Sequence, residues 1–173
     1  MIIRFFEDPN NKDLLPLTAT RPAAALRVGI FTIAEKWSHL LKADSIGYLT
    51  KDYLQTRFPD VNALLNISGN LLPNDLLVMA IKALGENESL IHGDDDCLAY
   101  TGSGENRVIF EGEIQRITRP FHIFKHNGAQ ITYDFNQITK NRQSTPLSPT
   151  NTVIGDHPVF LEEGAQVECC IFN

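Results

Sequence analysis

Cysteine is scarce in this chain, and the little present builds no framework. Three residues, two of them adjacent (Cys169, Cys170), cannot form a disulfide scaffold. A reducing cytoplasm is the simplest compartment for such a sequence. Blocks of basic charge are missing too. Lysine and arginine number 15 against 21 acidic residues, for a net charge of −6. Wrapping nucleic acid needs a basic face to neutralise phosphates, so nucleic acid is excluded as a partner on this reading. No apolar run approaches the ~20 residues of a membrane-spanning helix. Residues 1–6 are too short for a signal h-region and no small-residue cleavage site follows, so they read as a first strand and no membrane partner is expected. Gly-x-Ser-x-Gly, P-loop and Cys-x-x-Cys patterns are all lacking.

What is present is an ordinary globular balance, with 43% hydrophobic and 21% charged residues. A core can therefore be buried without disulfides, and the length suits one domain with an appendage. Short apolar runs alternate with helical patterns over the first hundred residues, the mark of βαβ units. Residues 2–6 form a compact apolar run closed by Glu7-Asp8-Pro9-Asn10-Asn11, a loop by composition. Thr32 with Glu35 three residues on predicts a capping box, and Ile33, Trp37, Leu40 and Leu41 line one helical face after it. Residues 45–49 read as a strand, followed by a short helix ending before Pro59.

Residues 63–67 predict a buried strand closed by Ser68-Gly69-Asn70. Pro73-Asn74-Asp75 opens a helix with Leu76, Leu77, Ala80, Ile81 and Leu84 on its apolar face and Gly85 as the stop. Strands are expected at 89–91, 97–100 and 108–114. Two helices then follow, one through Phe121 and Phe124 and one with Ile131, Phe135 and Ile138; these aromatics recur at helical spacing and read as core. Asp94-Asp95-Asp96 reads as a solvated turn rather than a metal cluster. His122 and His126 stand four apart, but the glutamate a zinc-protease motif needs is missing.

The composition changes at 144–151 to Ser, Thr, Pro and Asn, which reads as a linker. Leu161-Glu162-Glu163-Gly164-Ala165-Gln166 then fits a hexapeptide pattern, and the next six residues repeat it loosely. A six-residue period with Leu161 and Val167 inward predicts the beginning of a parallel β-helix. Stacked repeats need about three units to bury a continuous core, so the chain reads as part of a longer protein. The expected organisation is an α/β domain over 1–143, a linker over 144–152, and a first hexapeptide coil over 153–173.

Leu15-Pro16-Leu17-Thr18, Thr20-Arg21-Pro22 and Leu26-Arg27-Val28-Gly29 resemble the signature of sugar-1-phosphate nucleotidyltransferases. Leu65-Asn66-Ile67-Ser68-Gly69-Asn70 resembles that family's strand ending in glycine-aspartate, where the aspartate helps hold magnesium. With Thr32-Ile33-Ala34-Glu35-Lys36-Trp37 and the Phe160–Ala165 segment, the chain is similar to a GlmU-like group with a shortened first domain. The resemblance implies a truncated, Rossmann-like three-layer α/β domain followed by a left-handed parallel β-helix. It further implies a nucleoside triphosphate and a sugar 1-phosphate as partners, Mg2+ with the triphosphate, and a homotrimer for the complete β-helix protein. Acyl transfer would belong to β-helix coils beyond this chain.

Three positions depart from the family pattern. Glu7-Asp8-Pro9-Asn10-Asn11 stands in place of the glycine-rich loop, whose N–H groups approach a triphosphate. Ala23 stands in place of the catalytic lysine, and Asn70 in place of the magnesium-binding aspartate, where an amide is the weaker ligand. Arg21 and Arg27 are the best remaining phosphate clamps, because a guanidinium offers two parallel bonds to phosphate oxygens. The candidate nucleotide and sugar-phosphate residues are thus Thr18, Arg21, Arg27, Lys36, Gly69 and Asn70, with no catalytic residue or metal ligand assigned. Arg21 and Arg27 could equally anchor a loop, and Gly69-Asn70 could be a plain turn. Two functions follow: formation or binding of a nucleotide-sugar, or a degenerate domain that scaffolds or regulates a β-helix acyltransferase.

Overall fold

Ile3 and Phe5 alternate with more exposed neighbours along Ile2–Phe6 (β1), and both are buried. In the computed structural model, which describes residues 1–8 and 13–173, β1 lies between two parallel partners. These are Ser45–Leu49 (β2) and Leu65–Ser68 (β3). Ile33–Leu41 (α1) connects β1 to β2, and Asp52–Gln55 (α2) connects β2 to β3. Parallel neighbours require such crossovers, so the βαβ expectation holds here. Asp96–Thr101 (β6) then joins β3 antiparallel, Glu88–His92 (β5) pairs antiparallel with β6, and Asn106–Ile109 (β7) adds parallel to β5. The result is one mixed six-stranded sheet in the order β2-β1-β3-β6-β5-β7.

The capping box of α1 forms as its sequence predicts. Thr32 accepts from the Glu35 amide at 3.2 Å, and Glu35 returns a bond from the Thr32 amide at 2.7 Å. Ile33, Ala34 and Trp37 are completely buried in the core beneath it. The cap contributes about 1 kcal/mol and each buried aliphatic side chain about 1.5–3, so packing outweighs capping in holding α1. Trp37 also donates its indole N–H to the Leu71 carbonyl at 2.8 Å. That bond ties α1 to Leu71–Leu72 (β4), which pairs antiparallel with Gln115–Arg116 (β8).

Three sequence expectations need correction. Asp75–Lys82 (α3) buries Leu77 and Ile81, with Ala80 and the following Leu84 packed against the core as expected; Leu76 is the exception at 65% exposed, and Val78 is buried as well. The strand expected over 108–114 stops at Ile109, because the Phe110 ring folds back over Gly112 and the chain leaves the sheet. The two late helices are one, Pro120–Thr139 (α4), and Phe121 and Phe124 stand 59% and 88% exposed rather than in the core. The fully buried positions of α4 are polar, Gln130 and Asp134, while Ile123 packs against the core from the same helix.

The chain divides into two compact units, residues 1–134 and 135–173. In the second, Thr152–Val153 (β9) pairs in parallel with Ile171–Phe172 (β10). Residues 144–151, read as a linker, are hydrogen-bonded to the segment that follows. Thr145 donates to the Leu161 carbonyl at 2.9 Å, and the Asn151 side chain bridges the Val167 carbonyl and the Cys170 amide. Leu161 and Val167, six apart, are half-buried while the five residues between them are exposed.

Candidate functional site

The carboxyl ends of β1 and β3 lie side by side, and the antiparallel β6 begins beside them at Asp96. Beyond β1 the chain carries Glu7 and Asp8; beyond β3 it makes the Gly69-Asn70 turn. The Gly69 amide donates to the Phe6 carbonyl at 2.9 Å. A side chain at Gly69 would come within 3.2 Å of that carbonyl oxygen and 3.4 Å of Ala24, close enough that a neighbour would have to shift by a few tenths of an ångström. The short turn Ala23–Ala25 therefore presses directly on the strand ends, held there by Glu7, whose carboxylate accepts from the Ala23 amide at 3.1 Å. Ala23 itself is fully buried and belongs to the apolar core.

Asn70 is fully buried, and so is Ser68. Their cluster is organised by Arg116, delivered from β8. One terminal nitrogen of its guanidinium lies 3.1 Å from Asp8 Oδ2 and 2.7 Å from Ser68 Oγ, and also donates to Asn70 Oδ1. Its other edge grips both Asp96 oxygens, at 3.2 and 2.6 Å. Ser68 donates to Asn70 Oδ1 at 3.1 Å, and the Asn70 amide donates to Asp8 Oδ2 at 3.3 Å. Asp96, expected in a solvated turn, is thus half of a two-point ion pair, the strongest geometry such a pair has. Cys97 follows it, and burial pushes its thiol above the ordinary range, so it is no ready nucleophile.

The other candidates separate into different environments. Thr18 is half-buried in the turn before Arg21. Arg21 is exposed and makes no hydrogen bond or ion pair among the described residues. Arg27 is exposed too, but donates to the Ile30 carbonyl and lies 3.8 Å from Glu35, anchoring its own loop. Lys36 is sealed inside, 1% exposed, with its ammonium 2.5 Å from both oxygens of Asp134. Burial pulls its pKa below the usual lysine value, and Asp134 opposes that shift. Asp134 also accepts from the amides of Ile30 and Phe31 at 2.9 and 3.3 Å, while Asn127 accepts from Gly29 at 2.8 Å. Lys36 and its partner thus position the loop that carries Arg27.

Of the six candidates, Gly69 and Asn70 belong to the strand-end cluster, and Arg21 lies on the segment leading into the turn pressed against it. Asp8, Ser68, Asp96 and Arg116 complete the cluster; the sequence reads the first three as loop, strand end and solvated turn, and does not pick out Arg116. Their spacing explains why: Arg116 meets Asp8 across 108 residues and Asn70 across 46. The residues of this cluster do not suit a magnesium ion. Both carboxylates already face a fixed cation, a second cation there would be repelled, and no three His, Cys, Asp or Glu side chains converge among the described residues.

The mixed sheet with helical crossovers is a Rossmann-like α/β architecture, in which ligands meet the sheet at the carboxyl ends of its strands. Residues 3–143 match the family profile described as sugar nucleotidyl transferase, and the chain belongs to that family. A nucleotidyltransferase-like function follows from membership, with a nucleotide and a sugar phosphate as the substrates the family implies. No curated protein matches the chain.

Proposed function

We propose that the 1–134 unit holds a nucleotide-sugar at the carboxyl ends of β1 and β3, with its phosphates against Arg21. The observation that carries this reading is Arg21 itself: an exposed, uncommitted guanidinium two residues before the turn that abuts Gly69. Phosphate recognition needs such a group, and arginine supplies it in two-point form. Binding is the supported part. Transfer has weaker support, since Ala23 lies in the core and Asn70 lies beneath Arg116. A degenerate domain that binds without turnover, or serves as a scaffold, is therefore the second reading.

The second unit fits one coil of a parallel β-helix. β9 and β10 pair in parallel, and Cys169 and Cys170 bond residues nineteen positions earlier, close to the roughly eighteen of three six-residue faces. On this reading the complete protein is a GlmU-like cytoplasmic trimer joined through its coils.

The test is thermal unfolding with UTP, dTTP, CTP, ATP and GTP, with sugar 1-phosphates and with UDP-glucose as a nucleotide-sugar probe. A ligand at a hundredfold its dissociation constant should raise the midpoint by roughly 5–10 °C. Arg21→Ala should abolish the shift and leave the unliganded midpoint unchanged, because Arg21 supports nothing else. Pyrophosphate release from a triphosphate and a sugar phosphate would establish transfer. No shift with any of these ligands would remove the binding reading and leave the scaffold.

A further inference from the structure

We infer that Arg116 takes the place of a divalent cation at the strand ends, so that the domain binds no magnesium there and gains that capacity only when Arg116 is removed. The oxygens around the guanidinium form a hard donor set: carboxylates of Asp8 and Asp96, the amide oxygen of Asn70 and the hydroxyl of Ser68. Two carboxylates with two neutral oxygens are the chemistry that holds a hard dication. Here they surround one delocalised positive charge instead. Asp8 and Arg116 are 8% and 11% exposed, so the charges face each other with little water between them. An ion entering the cluster would have to displace a guanidinium held at six acceptor atoms, the Cys97 carbonyl among them.

The substitution also accounts for Asn70. Among the described residues two carboxylates already meet one guanidinium, and an aspartate there would add a third, deepening the cluster's negative charge. The amide avoids this: its oxygen accepts from Arg116 and its nitrogen donates to Asp8. Arg116 and Asn70 thus form one matched exchange, a fixed cation with a neutral ligand. The inference concerns the cation alone and does not depend on a nucleotide-sugar being the ligand.

Manganese is the probe, read by electron paramagnetic resonance for free ion and by NMR broadening of the Ser68 and Asn70 amides. The wild-type chain should leave the free manganese signal intact and the two amides sharp. Its thermal midpoint should be the same in magnesium and in EDTA. Arg116→Ala should take up one manganese per chain, broaden both amides, and gain roughly 5–10 °C at saturating magnesium. Arg116→Lys, which keeps a cation, should behave as wild type. Stoichiometric manganese on the wild type with broadening at Ser68 and Asn70 overturns the inference, as does a folded Arg116→Ala that takes up none. If Arg116→Ala does not fold, the wild-type measurement alone decides.

Discussion

Replacing Lys36 by methionine keeps the length of the buried stem and removes only its charge. The ammonium now sits 2.5 Å from both oxygens of Asp134, with the two side chains 1% and 3% exposed. Lys36→Met strands a carboxylate in the interior, and losing one partner of a buried pair costs about 3–5 kcal/mol. In a chain of this size that is a fall of roughly 6–20 °C in the midpoint. Asp134→Leu should cost more, because the amides of Ile30 and Phe31 also lose their acceptor, at about 1–3 kcal/mol each. The double variant removes both charges and should recover the ion-pair share, remaining about 2–6 kcal/mol below wild type through the two amides. Urea unfolding followed by the fluorescence of Trp37 is the assay. Trp37 is the only tryptophan, adjoins Lys36 and is fully buried. A Lys36→Met variant within about 0.5 kcal/mol of wild type would refute the reasoning. So would a double variant less stable than Asp134→Leu alone.

Two further outcomes are expected. Gly47→Ala should cost at least about 1–3 kcal/mol, since the added carbon would stand 2.2 Å from a Val61 methyl and 2.8 Å from its backbone nitrogen; an unchanged urea midpoint would show that β2 and Val61 part without cost. His126 has its pKa lowered by burial first, then by His122 and Lys125. The unfolded chain therefore binds the extra proton between the lowered value and 6.5, and this contribution is lost as pH falls through that window. Thermal midpoints from pH 5 to 8 should fall less steeply on the acid side for His126→Gln than for wild type, and parallel curves would exclude His126 as a cause.

What the sequence revealed was local. The Thr32–Glu35 cap and the strand at 45–49 came out at their expected places because their signals lie within a few neighbouring residues. The two late helices merged because no breaker separates Phe124 from Ile131; Gly128 alone interrupts the pattern and is tolerated in a helix. Apolar spacing misled on α4, where Phe121 and Phe124 face outward and the buried positions are Gln130 and Asp134. Periodicity counts apolar residues and cannot show that Asp134 is matched to a lysine 98 positions away. The family signature led to Gly69-Asn70 and to Arg21. It could not lead to Arg116, whose importance lies entirely in what the topology brings to it from three distant stretches of chain.

Arg116 also sets a timetable for synthesis. Asp8, Ser68, Asn70 and Asp96 all leave the ribosome before it, and the acceptors they contribute have no guanidinium until β8 arrives beside β4. Strands β1 to β3 can pair while the remainder is still being translated, but the polar centre between their ends is among the last things assembled. A nascent chain halted just after β7 would carry the sheet without its keystone, and this edge is where a folding helper would find it incomplete.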